Sequence, residues 1–170
     1  MPNLTLARAP GAAPVRPAGP ADLARAVRAV AASPALWRPL VRFSEEHRWY
    51  CRVPPAGPDS GYELWLLTWL PGQHTGFHDH GGAAGAFAVA DGELTETAGQ
   101  AGRPELRRRC LRAGGVRSFG PAYLHDVRNA GDRPAVSVHA YAPELTVMRR
   151  YEMTASGLVL SGAEAAGDSW

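Results

Sequence analysis

The chain has no lysine: all 18 of its basic side chains are arginine, set against 16 acidic ones for a formal charge of +2 over 170 residues. That balance excludes the strongly basic footprint of a nucleic-acid binder. The one tight basic run, Arg107 to Arg109, reads as a solvated hairpin face. Cysteine is nearly missing as well. Cys51 and Cys110 are too few for a disulfide framework and form neither a CxxC pair nor a Cys/His zinc spacing, which fits a reducing cytosol and a cytoplasmic location. No apolar run reaches transmembrane length, and the amino end lacks the continuous apolar core of a secretion signal, so no membrane partner is expected.

What is present suffices for one domain with a single core that needs no metal or disulfide staple to fold. Residues 1–20 carry Pro2, Pro10, Pro14, Pro17 and Pro20 among alanine and glycine, which predicts a loose arm. The domain is expected over residues 21–162, with a loose tail at 163–170. Asp22 is placed to cap a helix over 23–32, since Leu23, Ala26, Val27 and Val30 fall at helical spacing. A second short helix over 35–43 is interrupted near Pro39, where a backbone donor is missing.

From Arg48 onward the apolar period changes to two. Strands are predicted over 49–53, 62–70, 75–80, 85–90, 93–97, 106–111, 123–129, 135–142, 147–153 and 158–160. This rhythm gives an all-β fold with short N-terminal helices, a sandwich or small barrel. Asp91-Gly92 between two such runs is a hairpin signal.

A small barrel is filled by side chains or holds one small ligand, so inward polar residues are informative. His78 and His80 are two apart, and on an extended strand both imidazoles point the same way. His125 lies in LHDVRN. Ser137, His139 and Tyr141 alternate in SVHAY and must share one face, with Val136, Val138 and Ala140 on the other. Asp79 faces opposite to its flanking histidines and suits a hydrogen-bond anchor. His74 reads as part of a loop at the barrel mouth and His47 as a surface residue, while Trp65, Trp69 and Phe87 belong to the core.

These residues carry a resemblance. Gly72, His78-Asp79-His80 and Gly92 are similar to the first sequence motif of the cupins, and Gly115, Pro121, His125 and Asn129 to the second. The glutamate usual after the HxH is missing, its place falling at Ala84 or Gly85. Within the cupins, Tyr50, Arg52, His78, His80, His125, Ser137, His139 and Tyr141 together resemble the thiol dioxygenase family, and within it the cysteine dioxygenases, over roughly residues 34 to 153.

The resemblance implies a small jelly-roll β-barrel and a mononuclear Fe(II) held by His78, His80 and His125. Three neutral imidazoles leave a divalent metal its full charge and an open face for a thiolate, an amine and oxygen. Oxygen chemistry needs a redox-active metal, so iron follows from the implied reaction: L-cysteine and O₂ giving cysteine sulfinic acid. The resemblance makes Arg52 the two-pronged clamp on the substrate carboxylate, with Tyr50 on the same side of the strand. Tyr141 is implied near the open face, oriented by His139 and Ser137. Gly85 stands where animal relatives place a cysteine crosslinked to the tyrosine, so Tyr141 is expected to be an unmodified phenol. Ala142-Pro143 follows it, a place where a cis bond could redirect the chain. The expected partners are L-cysteine and O₂ with a monomeric chain. The alternatives are oxidation of 3-mercaptopropionate or cysteamine, a cupin that binds metal or ligand without turnover, and a zinc or nickel cupin doing isomerase or hydrolase chemistry.

Overall fold

The computed structural model describes residues 18–54 and 61–166. The predicted arm therefore lies outside the described residues except at 18–20, where Pro20 already opens α1 (Pro20–Ala31). Proline suits that first helical position because its missing N–H would have had no partner there. Asp22 consequently sits inside the first turn instead of capping the helix. Its Oδ2 accepts the Gly19 N–H at 3.0 Å. The second helix is shorter than predicted: α2 (Pro34–Trp37) gives way to a 3-10 turn at Arg38–Leu40, around Pro39. No helix among the described residues is long and apolar enough to cross a membrane.

Eleven strands follow among the described residues. They are β1 (Tyr50–Val53), β2 (Glu63–Trp69), β3 (Phe77–Asp79), β4 (Ala84–Asp91), β5 (Glu93–Gly99), β6 (Arg107–Arg112), β7 (Val116–Phe119), β8 (Leu124–Arg128), β9 (Ala135–Ala142), β10 (Val147–Thr154) and β11 (Gly157–Ala165). All pair antiparallel in two sheets, one ordered β1-β2-β9-β4-β7 and the other β11-β10-β3-β8-β5-β6. Every described residue of β9 is buried, which fixes the architecture. Val136, Val138 and Ala140 turn outward and join Leu64, Leu66, Ala86 and Ala88 beneath Leu23 and Val27 of α1. Alanine at several of these positions lets the helix approach closely. The opposite faces look into the barrel, where Leu67, Trp69, Phe87, Val89, Leu94, Phe119, Val127 and Met148 form the core around the site. Each large apolar side chain withdrawn this way contributes about 1.5–3 kcal/mol.

Three further expectations change. The Asp91-Gly92 turn does not close a hairpin, because β4 and β5 belong to different sheets. A bulge at the end of β4 and the left-handed Gly92 (φ 75°) turn the chain from one sheet to the other. Any Cβ at Gly92 would stand 2.8 Å from the Pro134 carbonyl oxygen, so this corner requires glycine. The strand β7 has no counterpart among the predicted strands. The tail also begins later than expected: β11 runs to Ala165, pairing Ala163, Glu164 and Ala165 with Arg149, Met148 and Val147 of β10. Residues 167–170 lie outside the described range. The Ala142-Pro143 peptide is cis.

Candidate metal centre

His78 and His125 are register partners on the neighbouring strands β3 and β8, and His80 lies one residue past the end of β3. Pairing of strands distant in sequence thus brings the HxH beside the third histidine. One nitrogen from each ring falls within 4.8 Å of the others, and all three side chains are buried. Ring centroids stand 4.8 to 5.2 Å apart. Burial holds His78 and His80 well below the ordinary histidine pKa, with the neighbouring imidazoles adding to the effect. Both rings are therefore neutral at physiological pH, the form that binds a metal.

The hydrogen bonds around the rings test whether a cation fits. His78 Nδ1 lies 2.9 Å from the Gly76 carbonyl oxygen and His125 Nδ1 3.0 Å from Glu96 Oε1. Each contact fixes the Nδ1–H tautomer and leaves Nε2 with its lone pair. Among the described residues neither nitrogen of the buried His80 has a hydrogen-bond partner. A buried polar atom so orphaned costs about 1–3 kcal/mol, which a coordinated cation would offset. The three residues fit a metal.

Glu96 is a residue that the sequence does not single out. Its side chain is fully buried, its Oε2 accepts from Arg117 Nε at 2.9 Å, and its Oε1 accepts from the Tyr123 hydroxyl at 3.1 Å. Arg117 Nη2 also donates to the Tyr123 oxygen at 3.0 Å. Burial opposes ionisation of Glu96, but the hydrogen bond with His125 and the charge of Arg117 outweigh it and keep its pKa below the ordinary value. The resulting carboxylate orients His125. Among the described residues no carboxylate joins the three histidines in the cluster itself.

Across the barrel, β9 carries the relay expected from SVHAY. Trp69 Nε1–H donates to Ser137 Oγ at 2.8 Å, Ser137 Oγ lies 2.8 Å from His139 Nε2, and His139 Nδ1 lies 3.3 Å from the Tyr141 hydroxyl. Indole is only a donor, so Ser137 Oγ accepts from Trp69. The His139 ring stands between Ser137 and Tyr141 and contacts each through one of its nitrogens. Burial lowers the His139 pKa to about 3, so this ring is neutral, and burial raises that of Tyr141.

The two remaining expected residues lie elsewhere. Arg52 does share the inward face with Tyr50, but at the rim, 57 % exposed. Its Nη2 is 2.6 Å from Glu144 Oε1 and 3.1 Å from Glu63 Oε2, and its guanidinium sits 4.8 Å from the Trp65 ring centroid. Tyr50 packs on Trp65 at 6.1 Å. Neither lines the narrow cavity beside the histidines, which is bounded by Arg48, Leu67, Thr75, His78, His125, Val127, His139, Tyr141 and Met148. The guanidinium of that cavity belongs to Arg48, on the segment leading into β1.

Asp79 is the anchor its direction implied, accepting from Gly81 N, Arg149 Nε and the Tyr151 hydroxyl at 2.9, 2.9 and 2.7 Å. His74 is half-exposed on the mouth loop, outside the ligand cluster. Gly85 is the register partner of both Tyr141 and Phe119. A Cβ there would stand 2.4 Å from Phe119 Cε2 and 3.0 Å from Tyr141 Cδ1. Phe119 in turn stacks on His80 at 4.8 Å.

Two solved structures share this architecture. The protein TT1209 from Thermus thermophilus is 23 % identical, with TM-score 0.53 over 63 % of this chain and 93 % of that one. An uncharacterised Klebsiella pneumoniae protein with a double-stranded β-helix domain is 21 % identical, with TM-score 0.52 over 74 % and 93 %. At such identities they establish the fold, that of the cupins. The sequence itself matches cysteine dioxygenase type I over residues 19–154, most of its length. With an all-histidine cluster, no carboxylate among the ligands and a Ser-His-Tyr relay facing it, the chain belongs to the cysteine dioxygenase type I family.

Proposed function

We propose that the chain is a mononuclear Fe(II) thiol dioxygenase that converts L-cysteine and O₂ to cysteine sulfinic acid, R–SH + O₂ giving R–SO₂H. The observation that carries this is the meeting of three buried imidazoles with a tyrosine held by the Trp69-Ser137-His139 network. Ferrous iron on His78, His80 and His125 would supply a redox-active centre at which a soft thiolate and O₂ meet. The chain's own part is to bring the three rings together, to exclude bulk water with Leu67, Val127 and Met148, and to place Tyr141 against the cavity. Glu96 holds His125 in its ligating tautomer.

The placement of Arg52 at the rim, already held by two carboxylates, supports a second reading in which another small thiol is the substrate. Oxygen uptake by the iron-loaded protein with L-cysteine, 3-mercaptopropionate and cysteamine decides between them. One O₂ consumed per cysteine, with sulfinate as product, is the expected result. Metal and thiol binding without oxygen consumption would instead identify a non-catalytic cupin.

A further inference from the structure

We infer that a hollow between the edge strands β6 and β7 binds a small dianionic oxyanion of the phosphate type, held by Arg103, Arg107, Arg109 and Arg117. None of the three clustered histidines lines it, and the inference does not depend on the dioxygenase reading.

Each of these strands is the outermost of its own sheet, so the barrel wall is unpaired between them. The run Arg107 to Arg109 reads from sequence as a solvated face, but its register with β5 gives it two faces. Arg107 and Arg109 stand opposite Ala98 and Glu96 and share the inward side with Leu111, which reaches the core. Arg108 and Arg112 take the outward side, where Glu93 pairs with Arg112 at 2.9 Å. The inward pair has no such compensation. Among the described residues Arg103, Arg107 and Arg109 form no ion pair, and Glu105 is the one carboxylate on the wall of the hollow.

Arg117 supplies an anchor that is already oriented. Its Nε and Nη2 are engaged with Glu96 and Tyr123 at 2.9 and 3.0 Å, while no hydrogen bond among the described residues uses its Nη1. Tyr123 stacks on Phe119 at 4.9 Å and gives the hollow a rigid floor. The space is about 360 Å³, within the range of small-ligand sites and enough for a phosphate monoester. Guanidinium groups border it from β6, from β7 and from the loop before β6. A tetrahedral oxyanion offers acceptors in several directions and a double charge, whereas a carboxylate accepts in one plane with a single charge. Arg103, Arg107 and Arg109 are exposed, so water and salt screen each contact and the expected affinity is moderate.

The test is calorimetric titration of the full chain with inorganic phosphate, glycerol 3-phosphate and acetate at one ionic strength, Fe(II)-loaded under anaerobic conditions and again metal-free. Saturable phosphate binding is expected in both forms, with acetate at least about 10-fold weaker. Arg107→Gln and Arg109→Gln should each weaken phosphate about fivefold, and the double variant about 10-fold or more. Arg108→Gln removes the same charge from the outward side of the same strand and should stay within about twofold. Glu105→Gln removes the opposing carboxylate and should tighten phosphate by about two- to threefold. These side chains are exposed, so unliganded Tm values should match the wild type and folding does not obscure the comparison. Glycerol 3-phosphate binding more tightly than phosphate identifies a phosphorylated metabolite as the occupant, and weaker binding identifies phosphate itself; both uphold the site. Absence of saturable binding up to about 10 mM phosphate overturns it. So does an Arg108→Gln loss equal to those of Arg107→Gln and Arg109→Gln, which would reveal only a diffuse positive potential. Binding that disappears with the iron would place phosphate on the metal, and acetate binding as tightly as phosphate would remove the oxyanion selectivity; either outcome also overturns the inference.

Discussion

The two walls of the barrel are built to different degrees of completion. On the β9 wall every polar atom from Trp69 through Ser137 and His139 to Tyr141 finds its neighbour within the protein. On the β3–β8 wall His78 and His125 are satisfied at one nitrogen each and His80 at neither. A closed network specifies a geometry, whereas an open one specifies a missing species. The first wall fixes the place of the Tyr141 hydroxyl, and the second could hold a cation.

The sharpest way to break this contrast is to remove a residue from the open wall. His80→Ala should lower metal affinity by more than about 100-fold, beyond what outer residues typically contribute, measured by chelator competition. Folding should persist, since no hydrogen bond is lost. Tyr141→Phe removes the hydroxyl at the end of the closed wall. It should leave metal affinity within about twofold while kcat for cysteine falls roughly 100-fold; an equal loss of metal would show that the walls are not separate. Glu96→Gln should cost about 10- to 100-fold in metal affinity by loosening His125, read by the same competition.

The smallest expected effect is on acid stability. His78, His80 and His139 have folded-state pKa values below the ordinary 6.5, with His139 at about 3. Below pH 6.5 the unfolded chain binds more protons than the folded one, so the stability these groups confer is complete above 6.5 and is lost as pH falls toward their folded values. Urea midpoints of the metal-free protein between about pH 7 and 4 should decline, by up to about 1.4 kcal/mol per pH unit per proton. The slope should be shallower in His139→Gln. An unchanged slope would remove His139 from the set of buried neutral rings.

How much of this was legible depended on whether the signal was local. The alternation Ser137-x-His139-x-Tyr141 and the spacing of His78 and His80 are properties of single strands, and the structure realises both. The third ligand was legible only through its motif, because His125 reaches His78 by pairing of strands far apart in sequence. β7 was hidden by its flanks: Gly114-Gly115 and Gly120-Pro121 are turn signals, leaving four residues that read as loop. With it went Arg117 and Phe119. Glu96 sits in a polar run typical of a solvated strand, and only the pairing of β5 with β8 buries it against His125. The Asp91-Gly92 turn shows the converse, a strong local signal whose partner strands go to different sheets. Arg52 lies on the strand and face expected, and only the folded chain shows Glu63 and Glu144 pairing with it at the rim.

Gly85 has a consequence for how this site can change over time. The ring of Phe119 fills the space a side chain at 85 would need, and the same ring stacks on His80. Introducing any residue there, whether a fourth ligand or a cysteine able to reach the tyrosine, displaces the ring that steadies a metal ligand. A side chain at 85 therefore calls for a smaller residue at 119, and the two positions are sterically coupled.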